Sequence, residues 1–373
     1  MPDPLRADAH LSKRTLVVLS HAIERLALAA AEDGPLLAIA FFQRRPYFER
    51  ERAVYERIAA RSAVTVVGLV GPPTGDATAV RGAPVVAGLG EQDELAKEWS
   101  VVVLTPRTGA MLVARDLERV EDGARSLEGG RLFDGRWSFR RDDALHEVFR
   151  LQKALAGVLP GSVLDALATV VDRVRELPPA PGESRVDAAF QFMVDSLQQE
   201  QFRSAAAARK LEAVHSPAGE HIEELGDRAA QRWIGTGSTT ASGTLPVALL
   251  ALRVVQSEGG RQRPGRSVGF ETVGVLRVLQ QARRPTDRVM RIADGEYLLV
   301  MPSLSEADVV AAAQRVNAGI AALESAFPFA AVRGVCAVLV TRERPLPVQA
   351  LRDAIAWAVA EQVPVAVVPG GTG

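Results

Sequence analysis

The chain has 373 residues, of which 47% are hydrophobic and 24% are charged, and its formal net charge is −1. That length suits two or three domains, and the near-neutral charge gives no general attraction to nucleic acid or to anionic membranes. The single cysteine, Cys336, excludes an internal disulfide framework and lies in an apolar run typical of a buried strand. No apolar stretch is long enough to span a bilayer, and the N-terminus lacks a signal-peptide core. We therefore expect a cytoplasmic protein.

Residues 1–145 alternate between helical and strand patterns. The stretch "LSKRTLVVLSHAIERLALAAA" predicts a helix with Ser12 as its N-cap. The continuous apolar run "PLLAIAFF" predicts a buried strand, and "RRPYFERERAVYERIAARS" predicts a second helix. Further β-branched runs bounded by glycine or proline predict more strands. We expect these residues to form one α/β domain.

Residues 146–213 have a helical period, interrupted at Pro160 and Gly161, and they predict a helical connector. A long helix begins near residue 185 and has no internal proline or glycine. Its apolar residues include a stripe at helical spacing: Val186, Phe190, Met193, Val194 and Leu197. This stripe either pairs with a second copy of the chain or packs on its own chain, and the sequence leaves both alternatives open.

Residues 214–373 return to a mixed pattern, with the predicted order β-α-β-β-α-β-α-β. This order predicts a mostly antiparallel sheet with helices on one face. Two of the strands, "RVMRI" and "YLLVMP", form a predicted hairpin around the turn "ADGEY", which runs from Ala293 to Tyr297. The hairpin has the outline of an enzyme's active-site loop.

With that order of elements and that hairpin, the C-terminal part resembles a GGDEF domain, the family that joins two GTP molecules into cyclic di-GMP. Arg291 before the turn and the apolar strand "LLVMP" after it carry the resemblance. The segment "HSPAGEH" is similar to an altered form of the family's opening segment. The resemblance implies an antiparallel-rich sheet with flanking helices.

The same resemblance implies two carboxylates that hold metal ions, and this sequence departs from it there. The counterparts are Arg253 or Val255 on the first strand and Gly295 in the turn, none of which can hold Mg²⁺. The altered turn consists of Ala293, Asp294, Gly295, Glu296 and Tyr297. We expect no catalytic residues, no metal and no cofactor, and therefore no enzyme.

Five residues before the turn, the stretch "RPTD" supplies Arg284 and Asp287. The resemblance implies that an Arg-x-x-Asp pair at this place binds cyclic di-GMP. The chemistry fits, because arginine offers a planar fork to guanine or phosphate and aspartate accepts from the guanine N–H edge. The alternative is structural: an arginine at a helix end interacts favourably with the helix dipole.

The N-terminal helix, strand and aromatic-bearing helix together resemble the start of a DICT domain, a sensory module found beside GGDEF domains. The resemblance does not assign a ligand. Candidate pocket residues follow the strand, where α/β folds bind ligands: Phe42, Gln43, Arg44, Tyr47 and Phe48. The alternative is core packing for the aromatic side chains and a solvated rim for the arginine.

These observations predict an α/β sensory domain, a helical connector and a degenerate GGDEF-like domain at residues 214–373. The favoured hypothesis is a non-catalytic bacterial signalling protein whose last domain binds cyclic di-GMP or contacts proteins. The expected partners are a cyclic dinucleotide, another protein or a second copy of the chain, with no direct nucleic-acid contact. Two alternatives stay open: an oligomerising scaffold without a nucleotide ligand, and a residual diguanylate cyclase. A metal site at His215 and His221 is rejected, because a spacing of six does not place both on one helical face.

Overall fold

The structure is a computed structural model that describes residues 9–30, 33–42, 45–71, 82–122, 124, 126–215, 222–234, 245–256, 267–326 and 332–370. The chain divides into two compact units. The first comprises Met1–Leu117 and Leu132–Phe202, and the second comprises Glu118–Arg131 and Arg203–Gly373. None of the described helices is both long enough and apolar enough to cross a membrane.

The first unit is built on a seven-stranded mixed sheet in the order β1-β7-β6-β5-β2-β3-β4. Its strands are β1 (Ala9–Ser12), β2 (Leu37–Phe42), β3 (Val64–Val70), β4 (Val85–Leu89), β5 (Glu98–Leu104), β6 (Gly109–Val120) and β7 (Arg131–Ser138). β2 pairs in parallel with β3 and antiparallel with β5, so that Ile39 lies beside Val66 and Val102. Every residue of β2 is buried, which explains its unbroken apolar sequence.

Helices cover both faces of this sheet. They are α1 (Lys13–Ala30), α2 (Arg45–Ala59), α3 (Arg141–Leu155) and α4 (Gly161–Glu176), with a short 3₁₀ turn at Glu94–Lys97. The predicted N-cap of α1 is present, since the Thr15 N–H donates to Ser12 Oγ at 3.2 Å. Apolar residues of α1 and α2 share one core, and those of α3 and α4 share the other. The predicted connector therefore includes helical residues that lie in the core of the first unit.

The long helix α5 (Glu183–His215) contains the predicted apolar stripe, and its residues have different surroundings. Val194 is buried, and the Phe190 ring stacks on Phe139 with centroids 4.0 Å apart. Val186, Met193 and Leu197 are exposed. Part of the stripe, Phe190 and Val194, therefore packs on its own chain, as one predicted alternative required. The exposed part remains available for pairing with a second copy of the chain, the other alternative.

The second unit contains a six-stranded sheet in the order β13-β12-β9-β11-β10-β8. Its elements are β8 (Glu223–Glu224), α6 (Arg228–Ile234), β9 (Val247–Gln256), α7 (Ser267–Ala282), β10 (Arg288–Ala293), β11 (Glu296–Pro302), α8 (Glu306–Ala326), β12 (Val332–Thr341), α9 (Val348–Ala360) and β13 (Val365–Val367). From β9 onward this is the order predicted from the sequence. The central strands β9, β11 and β12 pair antiparallel.

The prediction that the helices lie on one face of this sheet was wrong. Side chains of α7 and α8 pack in one core cluster, whereas those of α6 and α9 pack in another. The physical reason lies in the strands. Residues Val247–Leu252 of β9 are buried in succession, so side chains pointing to both faces of the sheet need apolar cover.

Candidate functional site

The hairpin of β10 and β11 forms the predicted turn with two connecting residues, Asp294 and Gly295. Ala293 pairs with Glu296, and the register shifts between Arg291 and Ala293. Gly295 has φ = 70°, in the left-handed region that glycine adopts without strain. An Asp-Gly pair is a favoured connection in two-residue hairpins, so the altered residues are well suited to the turn itself.

Glu296 is held by arginines from two other elements. It lies opposite Arg253 in the register of β11 and β9, and Arg253 Nη2 is 3.0 Å from Glu296 Oε1. Arg352 on α9 brings its Nε to 3.8 Å from Glu296 Oε2. The Glu296 side chain is only 14% exposed. The negative charge of Glu296 is therefore balanced by arginines of the same unit, and one of them is Arg253, a candidate counterpart of the family's metal-binding residue.

A cavity of about 520 Å³ lies beside this hairpin, lined in part by Glu224, Arg291, Asp294 and Arg352. Arg291 Nη2 donates to Glu224 Oε1 at 2.8 Å, and this hydrogen bond raises the pKa of the Arg291 guanidinium. Arg291 Nη1 is also 3.6 Å from the fully exposed Asp294 carboxylate. The positive charge of Arg291 therefore offsets the negative charges of Glu224 and Asp294 in the lining of this cavity. Tyr297, the last turn residue, is buried in the core, where burial raises the pKa of its phenol.

The structure brings Arg284 and Asp287 together, and they bind each other. Asp287 is 1% exposed, and its carboxylate accepts hydrogen bonds from Arg284 N at 2.8 Å and Arg284 Nη2 at 2.9 Å. Arg284 Nη2 also donates to the Pro302 carbonyl at 2.6 Å. The Arg284 side chain remains 39% exposed. The pair thus forms a closed turn between α7 and β10, with only the arginine reaching solvent.

The candidate sensory residues are divided between the core and its edge. Phe42 and Phe48 are buried, and they form an aromatic cluster with Tyr55, with ring centroids 5.3–6.4 Å apart. The Tyr47 ring lies partly exposed, 5.7 Å from Lys13 Nζ. Gln43 and Arg44 lie outside the described residues, as does His221. The aromatic part of the prediction therefore coincides with the hydrophobic core.

A second cavity, of about 530 Å³, opens beside α2 in the first unit. Its lining includes Phe48, Arg52, Glu56 and Leu69. Arg52 lies 5.1 Å from the Phe48 ring and also donates two hydrogen bonds to Glu49. Phe48 is thus the predicted residue that combines core packing with a cavity wall.

Sequence reasoning missed a polar cluster between α1 and α2. Glu24 is 4% exposed, and its Oε1 accepts hydrogen bonds from Ser20 Oγ and Tyr55 OH, each at 3.1 Å. Burial raises the pKa of the Glu24 carboxyl, which His21 opposes and Glu51 reinforces. Burial also raises the pKa of the Tyr55 phenol well above its usual value. A sequence signal was present, because Ser20 and Glu24 lie four residues apart on the apolar face of α1.

Residues 3–117 match the family model described as DICT, "Sensory domain in DIguanylate Cyclases and Two-component system". No curated protein matches the chain. Solved structures similar to it include the GGDEF domain of YfiN (TpbB) from Pseudomonas aeruginosa, with 14% identity, 34% of this chain and 83% of that chain covered, and a TM-score of 0.29. The GGDEF domain of DgcB from Caulobacter crescentus, in complex with c-di-GMP, has 13% identity, 34% and 79% coverage, and a TM-score of 0.29. Diguanylate cyclase SiaD with its activator SiaC, from Pseudomonas aeruginosa, has 15% identity, 61% and 87% coverage, and a TM-score of 0.34.

Similarity of this size says nothing about activity, ligand or assembly. The predicted DICT domain is confirmed by the family model over residues 3–117. The presence of a sensory domain suggests a signalling protein.

Proposed function

We propose that this chain is a non-catalytic signalling protein in which a DICT sensory domain regulates a GGDEF-like domain that has lost cyclase activity. The observation that carries the proposal is the ion pair of Arg253 with Glu296. Cyclase chemistry in the resembled family needs carboxylates on metal ions that bridge the triphosphate of GTP. We take Arg253, one of the two candidate counterparts of such a carboxylate, as the position that matters, because its guanidinium repels a divalent cation while it neutralises Glu296.

The test is incubation of the purified full chain with GTP and Mg²⁺, followed by chromatographic detection of cyclic di-GMP. We expect no product, while an active GGDEF enzyme run in parallel shows that the assay works. Cyclic di-GMP formed by the wild type would overturn the proposal, and its loss in Glu296→Gln would show that Glu296 serves as a metal ligand. The variant keeps the size of the side chain, so the result reports its charge.

The oligomeric part of the proposal is a homodimer formed along α5. Val186, Met193 and Leu197 are 51%, 57% and 41% exposed. Their spacings of seven and four residues are those of a helix–helix seam, which is the reason to choose a second copy of the chain as the partner. Sedimentation of the full chain should show a dimer that Met193→Glu converts to monomer. The matched control Ala188→Glu adds the same charge on another exposed face and should leave the dimer intact. A monomeric wild type would remove this part of the proposal.

A cyclic dinucleotide receptor is the second candidate function. It is favoured by the partly exposed Arg284 guanidinium, with the exposed Arg283 next to it. Ligand binding there must compete with Asp287, which already accepts hydrogen bonds from Nε, Nη2 and the backbone N–H of Arg284. Titration calorimetry with cyclic di-GMP tests it on the wild type, Arg284→Ala and the control Arg283→Ala. Heat that only Arg284→Ala abolishes would favour the receptor, whereas no heat from the wild type at roughly tens of micromolar ligand would remove it.

A further inference from the structure

Two helices of the first unit bring three metal-ligand side chains together. His21 and Glu24 lie three residues apart on α1, and Glu51 lies on α2. Each offers one ligand atom, and the three atoms all lie within 4.8 Å of one another. His21 Nε2 is 3.7 Å from Glu51 Oε1, and these two side chains are 48% and 32% exposed. The cluster is therefore reachable from solvent.

Glu24 is the buried member of the cluster, and its hydrogen bonding is one-sided. Ser20 and Tyr55 both donate to Oε1, whereas Oε2 accepts no hydrogen bond from the part of the chain that the structure describes. Among those residues, no lysine or arginine forms an ion pair with Glu24 or Glu51. Glu24, which is 4% exposed, thus keeps one oxygen that accepts no hydrogen bond from the described residues, beside a second carboxylate and an imidazole.

With Glu24 and Glu51 both ionised, this arrangement is unfavourable unless a cation is present. Burying a carboxylate costs free energy unless it is paired, and a second carboxylate nearby increases the cost. Two neutral donors on one oxygen fix the orientation of Glu24 but supply no positive charge. A divalent cation held by all three side chains would remove the repulsion.

We infer that His21, Glu24 and Glu51 form a binding site for a divalent transition-metal cation of the Zn²⁺ class. Imidazole with carboxylate oxygens is a ligand set that suits zinc, whereas Mg²⁺ and Ca²⁺ prefer oxygen ligands alone. Ligands at about 2.1 Å in tetrahedral geometry lie about 3.4 Å apart. The 3.7 Å between His21 Nε2 and Glu51 Oε1 is close to that separation.

The three ligands have complementary mobility. Tyr55 and Ser20 hold the buried Glu24, in the manner of outer groups that orient a metal ligand. His21 and Glu51 reach solvent and can adjust their rotamers to shorten the widest separation by roughly an ångström. Three protein ligands leave a coordination position open for water or for a further ligand. The ion would join α1 to α2, and the inference is independent of the proposed loss of cyclase activity.

The test is calorimetric titration of the metal-free full chain with Zn²⁺, repeated with Mg²⁺. We expect one strong Zn²⁺ site per chain and no Mg²⁺ competition. His21→Ala and Glu51→Gln should each weaken binding by at least about tenfold, and so should Tyr55→Phe, which removes an orienting donor. His21 and Glu51 are partly exposed, so their substitution spares the core.

Matched controls separate this site from other histidines and acids. His146→Ala removes an exposed histidine of α3, and Glu56→Gln removes an exposed acid of α2, and both should bind as the wild type does. Co²⁺ gives an independent readout, because its visible absorption in the wild type should be lost in His21→Ala. The inference is overturned if the wild type shows no strong Zn²⁺ site, or if binding survives in the double variant of His21→Ala with Glu51→Gln.

Discussion

Glu24 in the first unit and Asp287 in the second are both carboxylates within the folded interior, with opposite surroundings. Asp287 is 1% exposed and is met by the guanidinium and the backbone N–H of Arg284. Glu24 is 4% exposed and is met by two neutral hydroxyl groups. Asp287 is paired with an arginine, whereas Glu24 is oriented by neutral donors and has only the partly exposed His21 nearby as a source of positive charge.

The difference shows which sites remain open to an external ion. An internal arginine closes an acidic site, and Glu296 repeats this with Arg253 and Arg352. A neutral shell leaves the acidic site able to take a cation. In the second unit Asp287 and Glu296 are therefore paired with arginines of the same unit, whereas in the first unit Glu24 has no arginine or lysine partner among the described residues.

Testing this comparison requires a probe for unfolding of the second unit alone. Cys336, the single cysteine of the chain, lies in that unit and can be labelled chemically. The thiol is buried, and burial raises its pKa to about 12. At pH 8 its thiolate fraction is on the order of a thousandfold below that of an ordinary thiol, so we expect labelling only when the unit opens. Raising the pH from 8 to 9 should speed labelling of the urea-unfolded chain and leave the native chain almost unlabelled. Rapid native labelling would contradict the buried position.

The next largest expected effect is that of Asp287→Ala, which leaves the Arg284 guanidinium and N–H without their acceptor. We expect the second unit to lose about 3 kcal/mol of unfolding free energy, a value reduced to about 2 if water reaches the partly exposed arginine. The measurement is the urea midpoint for Cys336 labelling. Asp294→Ala, in the fully exposed turn, is the control and should stay within about 0.5 kcal/mol of the wild type. Equal midpoints for both variants would mean that the pair does not close the turn.

Arg253→Ala should have a smaller effect on the same midpoint. Arg253 is 41% exposed, and Glu296 keeps Arg352 as a second, more distant partner. We expect a loss of about 1 kcal/mol, in the range of solvent-accessible ion pairs. A double-mutant cycle with Glu296→Gln isolates the pair and should give a coupling energy of the same sign. No coupling would indicate that Glu296 is free to take a cation, which would weaken the contrast between the two units.

Local patterns explain how much of the fold was predictable. Ser12 caps α1 and the run Leu37–Phe42 forms β2, because caps and apolar periods act over a few residues. β1 was missed since it is four residues long and pairs with β7, far along the chain. The helices on both faces of the second sheet were also missed. The sequence signal was the unbroken apolar run Val247–Leu252 in β9, because a strand covered on one face only would alternate apolar and polar residues.

The candidate sites show where sequence reasoning stops. The spacing of Arg284 and Asp287 identified the pair, but spacing does not reveal that the two side chains bind each other. Ser20 and Glu24 lie on the apolar face of α1, and their burial depends on how α1 packs against α2 and the sheet. Such packing is tertiary, so the polar cluster becomes visible only when the helices are in place.

The smallest expected change in stability is that of Glu24→Gln. It separates the two units most clearly, because we expect it to be neutral or stabilising, whereas the other substitutions destabilise. Glu24→Gln keeps an acceptor for Tyr55 and Ser20 while it removes a buried charge that has no lysine or arginine partner among the described residues. In metal-free buffer we expect the first unit to be unchanged or more stable by up to about 1 kcal/mol. Amide hydrogen exchange of α1 and α2 peptides measures this. The matched substitution Asp287→Asn should reduce protection around β10, since Arg284 loses its counter-charge. If Glu24→Gln instead costs more than about 2 kcal/mol, the Glu24 charge must already be balanced inside the chain, and the contrast between an open and a closed acidic site fails.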